Sequence, residues 1–530
     1  MSDGRVRRWL ISLALAAPAC LPYLTHYLKS TGDLIATGFI QYDMPYYMAN
    51  AREYFDGGGL TYGNPFSPSY GTPAIYFQPL TLLLGAIWRL TGADPGLIFV
   101  CVGFIAAIVC ARVAVALYQE VVGLETWAEH LGLVIFGWGG GLLALAGLAY
   151  NLLTGQRAQS IFRFDPFEGW WFLNFGRNMV YPTEALYHAL FLGCVFCILK
   201  RRFGVALVLA FLVSISHPFT GAELLVILCA WSFFELYFME NKQLPRSFFA
   251  GCCGLLIFHF GYYFVFLNLF PEHRQVVAQW TLAWLLQAQN FIPAYILVGA
   301  LAAWRMRRFK LAQTFFAVPR NRFFCIWFLV AFILANHEFA VRPVQPLHFT
   351  RGYIWMPLFL MGAPALVGLF AFLMSRGRRI LMALCIALVM ALFLSDNILW
   401  LGAFAFRQEQ GFQLTRDERA LFDWMNAKEN RGSIILSRDP RIAYLAMTYT
   451  PLRAWYSHQY TTPQNELRQR EVEAYFSQSV FLDQWNDATL LIVYTNPAPS
   501  TGRATPPADR ATMDVFQNTT FTVARVERKP

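Results

Sequence analysis

Charge is what this chain has least of. Only 14% of its 530 residues are Asp, Glu, Lys or Arg, where soluble domains average nearer to a quarter, so a soluble globular protein is excluded as a description of the whole. Nucleotide signatures are missing: there is no P-loop, no dinucleotide fingerprint and no GxSxG, which argues against nucleotide-driven work. No His, Cys, Asp or Glu cluster has metal-ligand spacing, so no cofactor is required, although a divalent metal stays compatible with the sequence. The ten cysteines all fall inside apolar segments, and the one CxxC, Cys194 with Cys197, has no histidine or second pair nearby. They read as packing residues.

In place of charge there is apolar length. Hydrophobic residues make up 57% of the chain and aromatics 17%. Apolar runs of about 17 to 25 residues, the length a bilayer core demands of a helix, recur from residue 9 to 402 and then stop. The expected fold class is an all-α polytopic membrane protein of about eleven transmembrane helices plus outer interfacial helices, with a small C-terminal α/β domain. Two domains follow: 1–402, which includes a first outer loop 29–95, and 403–530. The net charge of +10 sits largely in short clusters between apolar segments: "GRVRR" at 4–8, "KRR" at 200–202, "RMRRFK" at 305–310, "RNR" at 320–322 and "RGRR" at 376–379. This is a positive-inside pattern and not a nucleic-acid face.

The clusters fix a parity. With a cytoplasmic N-terminus and an uncleaved first helix, alternation places 154–182 outside, along with everything after 402. Three candidates, 74–92, 96–118 and 130–152, then compete for two crossings. The segment 72–92 is the one expected to lie in the interface, because Gln78 and Pro79 interrupt it and Trp88 with Arg89 suits an interfacial helix. The loop 119–129, which this parity puts inside, carries Glu120, Glu125 and Glu129 and no basic residue.

Within the first outer loop, "IQYDMPYYMANAREYF" at 40–55 forms a helix by its spacing. At about 100° per residue Asp43, Tyr46, Tyr47, Asn50 and Tyr54 share a face, while Met44, Met48, Arg52 and Phe55 look elsewhere. "DGGG" at 56–59 ends the helix. Asp43 stands in the first turn before Pro45, so it serves either as an N-cap or as a carboxylate with an oxygen free for chemistry.

An uncleaved first helix, an outside loop with an aspartate heading an interfacial helix, and a second interfacial helix before the next crossing resemble the glycosyltransferase C superfamily over roughly the first 200 residues. That group includes the protein O-mannosyltransferases, the lipid A aminoarabinose transferase and, more distantly, the oligosaccharyltransferases. The stretches "DERALFDWMNAKENRGSIILS" and "YTPLRAWYSHQYTTPQNELRQREVEAYF" are similar to the tails of uncharacterised bacterial members. The resemblance implies transfer of a sugar, with inversion, from a polyprenyl phosphate carrier to a glycan, lipid or protein acceptor. It also implies a bacterial inner membrane location, membrane lipids as surroundings and Asp43 as base. Tyr46, Tyr47 and Asn50 would then face substrate.

Departing phosphate needs cations, and arginine matches phosphate bidentately. The outer-side candidates are Arg177, Arg274, Arg342 and Arg351, each with an interfacial anchor or local salt bridge as its alternative. Arg351 with His348 comes first, since the resemblance implies a late-loop basic residue near the lipid phosphate. Glu184 and His188, one turn apart, are either a second acidic position of the kind some relatives use for an acceptor or divalent metal, or a mutually satisfied pair. His217, before Pro218 and two turns from Glu223, marks either a polar cavity lining or a helix-end kink. Arg52 points away from Asp43.

From 407 onward, "RDERALFDWMNAK" and "QNELRQREVEAYFSQSV" read as helices, "GSIILS" and "ATLLIVYT" as strands, and 495–511 as a proline-rich loop. His458, Arg468 and Arg470 either meet the acceptor or cover the active site, or belong to a solvated charged helix, which is the favoured account. The rival class is a transporter or flippase, for which matched repeats and intramembrane charges in two halves are expected; no such repeat is visible.

Overall fold

The computed structural model of the chain describes residues 3–30, 32–156, 160–166, 169–239, 243–279, 287–308, 314–342, 344–375, 379–406, 411–496 and 512–528. It is 68% helical with a small C-terminal sheet. By internal contacts the chain forms two compact units. One comprises Met1–Pro22, Val102–Tyr263 and Thr281–Gln408, and the other Tyr23–Cys101, Phe264–Trp280 and Glu409–Pro530. Composition drew its line at 402, where apolar segments cease; contacts instead group the loop 29–95 with the polar C-terminal part.

Among the described residues, seven helices are long and apolar enough to cross a membrane: Gly4–Leu28, Pro95–Val121, Pro182–Leu199, Pro218–Tyr237, Arg246–Leu269, Trp355–Ser375 and Arg379–Phe406. An eighth is reached if Trp127–Trp138 and Leu143–Leu153, bent by 65°, count as one span. The protein is therefore a multi-pass membrane protein, but the expected count of about eleven is not reached on length and composition. The three remaining expected spans fall short for separate reasons. Phe203–Ser216 has 14 residues and Pro319–Ala335 has 17, while Ala288–Arg308 opens with Gln289 and Asn290 and closes on arginines. At 1.5 Å per residue a 14-residue helix covers about 21 Å, short of a hydrocarbon core of about 30 Å.

In the first unit the bent pair shows how a helix can break inside an apolar setting. Breaking it frees amides and carbonyls that need partners, and neighbouring helices supply them. Asp396 accepts from the N–H groups of Leu143 (3.0 Å) and Ala144 (2.8 Å), capping the second half from another helix. Asn397 Nδ2 donates to the carbonyls of Gly139 (2.9 Å) and Trp138 (3.2 Å) at the end of the first half. The amides of Gly140 and Leu142 donate to Phe393 and Pro293 carbonyls. A Cβ on Gly141 would meet the carbonyl oxygens of Pro293 and Ala294 at 2.2 and 2.4 Å, so only glycine allows this approach. Elsewhere in the unit Arg322 and Glu235 form a buried bidentate pair at 2.6 and 2.8 Å.

The second unit interleaves three stretches of chain. Strand Leu34–Ala36 pairs antiparallel with Gln413–Thr415. Helix Met44–Gly57 packs on helix Pro79–Thr91 and on helix Pro440–Tyr449. Pro79–Thr91 has 13 residues, with Gln78 as its N-cap accepting from Thr81 N–H; the interruption at Gln78 and Pro79 is where the helix begins. A five-stranded sheet runs Arg453–Ala454, Ile434–Ser437, Leu490–Thr495, Phe521–Val526, Thr512–Gln517. Its first three strands are parallel and its last two antiparallel. Parallel neighbours need crossovers, and helices Pro440–Tyr449 and Asn465–Gln478 lie in the two connections. Leu436, Tyr475, Trp485, Leu490 and Ile492 centre its core. The helices and strands expected from 416 to 495 are present. Five further strands, three of them in this sheet, and helix Pro440–Tyr449 were not expected from the sequence, and most of the proline-rich loop 495–511 lies outside the described residues.

Candidate functional site

In the second unit, Asp43 heads helix Met44–Gly57 with φ −80° and ψ −6°, and its side chain makes no capping bond. An N-cap residue normally leaves the helical region so that its oxygen can turn back onto the first free amides; Asp43 already has helical angles and does not. Gln41 Oε1 accepts from Asp43 N–H at 2.6 Å, and Gln41 Nε2 donates to Asp43 Oδ2 at 3.5 Å. The helix ends at Gly58, φ 69°, whose N–H donates to Tyr54 O. Asp43 is half-buried.

Around this carboxylate lies a ring cluster. Tyr46 stacks on Phe66 (5.4 Å between centroids) and meets Tyr47 edge-on (5.3 Å), while Tyr47 stacks on Phe99. His458 lies at 5.0–5.6 Å from Tyr42, Tyr46, Phe66 and Tyr444. Tyr444 Oη donates to Tyr42 O at 2.6 Å. Burial, with the Asp43 charge as a smaller cause, pushes the hydroxyls of Tyr42, Tyr46, Tyr444 and Tyr460 up. They therefore stay protonated and can donate. Asn50 is buried and hydrogen-bonded to the Tyr46 side chain, so it orients Tyr46 and does not itself line open space.

Arg52 is turned away, as its helical spacing requires. Its guanidinium binds Asp56 (3.1 Å), Thr448 O (3.1 Å) and Asn426 Oδ1 (3.0 Å). His458, expected on a solvated face, is 3% exposed, and burial drops its imidazole to about 3. The aromatic run "WYSHQY" was the available signal for burial; its distant partners were not visible in the sequence.

In the first unit a second cluster gathers six of the remaining candidates. Arg351 is ion-paired with Glu184 and lies over the Trp171 ring at 4.3 Å. His188 Nδ1 lies 2.8 Å from Glu184 O and Nε2 2.9 Å from Arg351 O. Asn178 Nδ2 donates to Arg351 O (2.9 Å), and Arg177 donates to Asn178 Oδ1 (2.6 Å) while lying 5.8 Å from Trp170. His348 packs edge-on to Trp171 (4.9 Å) and 5.3 Å from His217. His217 caps helix Pro218–Tyr237 through Thr220 N–H, which gives it a structural part in that helix's start.

Arg351 has Glu184 as its ion-pair partner, while the carboxylate that acts on Arg177 is Asp165. Burial, then repulsion from Arg351, lowers Arg177 to about 9. Asp165, buried and accepting from Trp171 and Phe172 amides, is raised by burial to about 7. Arg342 and Arg274 are exposed, and Arg274 bonds Asn268 O at 2.7 Å. With Glu184 engaged by Arg351, the Glu184 and His188 pair does not suit a metal ion. Among the described residues no group of three or more His, Cys, Asp or Glu is placed to hold one.

A polytopic helical chain with a loop aspartate at a helix head and a polar-aromatic C-terminal unit has a fold that solved membrane proteins share. The particular likeness is to the oligosaccharyltransferase of Archaeoglobus fulgidus. The apo form matches with TM-score 0.52 at 11% identity, over 92% of this chain and 69% of that one. A complex with an inhibitory peptide and a dolichol-phosphate matches with TM-score 0.51 at 11% identity, over 93% and 70%. A form tethered to an acceptor peptide matches with TM-score 0.50 at 12% identity, over 92% and 69%. No protein-family model and no curated protein matches the chain.

Proposed function

We propose that the chain is an integral membrane glycosyltransferase that moves a hexosyl or pentosyl group from a polyprenyl phosphate carrier to a glycan, lipid or protein acceptor. Asp43 takes the acceptor's proton as its nucleophilic atom forms a bond to the anomeric carbon. The anomeric C–O bond breaks, its electron pair leaves on the phosphate, and a single displacement inverts the centre. Phosphate is a competent leaving group, so the enzyme's work is to deprotonate the nucleophile and hold the departing charge. Arg351 and Arg177 hold that charge, with Glu184, His188 and His348 positioning them. Tyr46 and Tyr47 contact substrate, and Asn50 steadies Tyr46. Arg342 and His217 are peripheral in this reading.

The observation that carries it is Asp43, a half-buried carboxylate at a helix head whose charge acts on the surrounding tyrosine hydroxyls. The fold likeness supports it, since the neighbours were solved with a dolichol-phosphate and with an acceptor peptide. The basic clusters support a cytoplasmic N-terminus in a bacterial inner membrane, with Asp43 and the C-terminal segment outside, where nucleotide sugars are scarce. The test is donor class: purified protein given labelled polyprenyl phosphate sugars and, separately, nucleotide sugars should transfer only from the lipid-linked set. Transfer from nucleotide sugars alone would overturn the reading, and so would vectorial movement of a lipid-linked sugar without transfer.

A further inference from the structure

Arg8 and Arg112 take no part in either cluster above. Both are half-buried in the first unit and line a cavity of about 750 Å³ formed by helices Asp3–Ala16, Pro95–Val121, Pro182–Leu199 and Phe203–Ser216. The two guanidiniums lie within electrostatic range of each other, and Arg112 lies over the Trp9 ring at 5.7 Å. The Nε atoms of both are shut from solvent and hydrogen-bonded to nothing among the described residues. The cavity's carboxylate, Glu120, is ion-paired with Lys200. The site therefore holds two like charges and, among the described side chains, no anion for them.

Such an arrangement calls for an external anion. Charged side chains inside spans pair with one another or face polar space because an unpaired charge there is costly. Arg112 stands nine residues before the end of a helix apolar enough to cross a membrane, and its charged neighbour is another arginine. The rest of the wall is mostly apolar, including Val109, Val113, Leu186 and Leu190. On helix Pro95–Val121 the lining runs from Val109 to Glu120, about 16 Å at 1.5 Å per residue, or roughly one leaflet of a 30 Å core. Arg112 lies one turn from the Val109 end of that run and Gln119 with Glu120 closes the other, so the cavity sets a cationic pair within a mostly apolar wall; a phosphate that carries an acyl chain matches both, and inorganic phosphate would leave the apolar wall bare.

We propose that this cavity binds an anionic phospholipid, its phosphate on Arg8 and Arg112 and its chain along Val109, Val113, Leu186 and Leu190. Arginine forks match phosphate oxygens bidentately. The site is independent of the sugar-transfer reading, since none of its residues belongs to the Asp43 or Arg351 clusters.

The experiment is thermal unfolding and native mass spectrometry of the delipidated full chain in neutral detergent, titrated with phosphatidylglycerol, phosphatidylcholine, inorganic phosphate or polyprenyl phosphate. Phosphatidylglycerol is expected to raise the melting temperature several degrees further than phosphatidylcholine, with inorganic phosphate ineffective. Apparent affinity should fall at least tenfold in Arg8→Gln with Arg112→Gln. It should stay within a fewfold of wild type in Arg112→Lys and be unchanged in Arg246→Gln, an exposed arginine on another helix. Leu190→Trp, which fills the cavity and leaves both charges, should weaken phosphatidylglycerol as well. Equal effects of the two phospholipids, or undiminished binding in the double variant, would overturn the proposal. Tighter binding of polyprenyl phosphate than of phosphatidylglycerol would assign the cavity to that carrier and overturn it too.

Discussion

Replacing Arg52 with alanine isolates what joins the helix Met44–Gly57 to the C-terminal residues of the same unit. Arg52 is 6% exposed, and two of its N–H groups reach across the chain to Thr448 O and Asn426 Oδ1. Hydrogen bonds to a charged group contribute about 1.5–3 kcal/mol each. Its stacking over Trp88 at 5.4 Å and Phe55 at 5.6 Å adds about 0.5–1 kcal/mol. Since neighbouring losses do not add fully, Arg52→Ala should cost about 3–5 kcal/mol. At about 2–4 °C per kcal/mol for a unit of this size, the melting temperature should fall by roughly 10 °C. Lysine keeps the charge but not the fork, so Arg52→Lys should fall between. The assay is intrinsic-fluorescence melting in detergent beside sugar transfer well below the melting point, where the surviving folded fraction should turn over normally. A variant that melts like wild type but does not transfer would place Arg52 in the chemistry and refute the reasoning.

Three further outcomes are expected. Arg322→Met strands Glu235 in the first unit and should cost about 3–5 kcal/mol, while adding Glu235→Gln should recover most of it; thermal melting of single and double variants decides. His458 and His273 are dropped by burial to about 3 and about 4, below the usual value near 6.5. Below pH 6.5 the unfolded chain takes up the proton first, so each group's contribution is complete above 6.5. It is lost at about 1.4 kcal/mol per pH unit as pH falls toward the folded value. His458→Phe should flatten the decline between pH 6.5 and 4 whatever it does to absolute stability, and an unchanged slope would be inconsistent with a buried neutral imidazole. Arg351→Met should raise the donor's KM about 10–100-fold, the loss of one charge-assisted contact, with Arg342→Gln close to wild type; equal losses from both would remove the distinction between the cluster and the exposed arginine.

The sequence showed the membrane part by length alone, because a bilayer core sets a run length that composition reports directly. It did not show the break at Gly139–Gly141, whose stability comes from Asp396 and Asn397 more than 250 positions away. A carboxylate inside the apolar run 380–402 was the overlooked sign, as were Glu235 and Arg322 in theirs. At the candidate site residue type was legible and partnership was not. Arg351 was singled out as an outer-side cation and Glu184 as an ionisable residue at a span's start, yet their pairing spans 167 positions. Helical spacing correctly separated Tyr46 and Tyr47 from Arg52, since a 100° rotation is a local rule. Whether Asp43 caps its helix depended on its ψ angle and on Gln41, which no spacing rule supplies. His458 was misread because its burial is made by Tyr42, Tyr46 and Phe66, some 390 or more residues earlier.

The central claim rests on the Asp43 carboxylate as base, and one comparison tests it most directly: single-turnover transfer from a labelled polyprenyl phosphate sugar by wild type and Asp43→Asn, with donor binding and melting temperature measured on the same preparations. The account predicts a fall of about 10²–10⁴-fold in rate, the range of general base catalysis, with donor affinity and stability close to wild type. Equal transfer rates would contradict it.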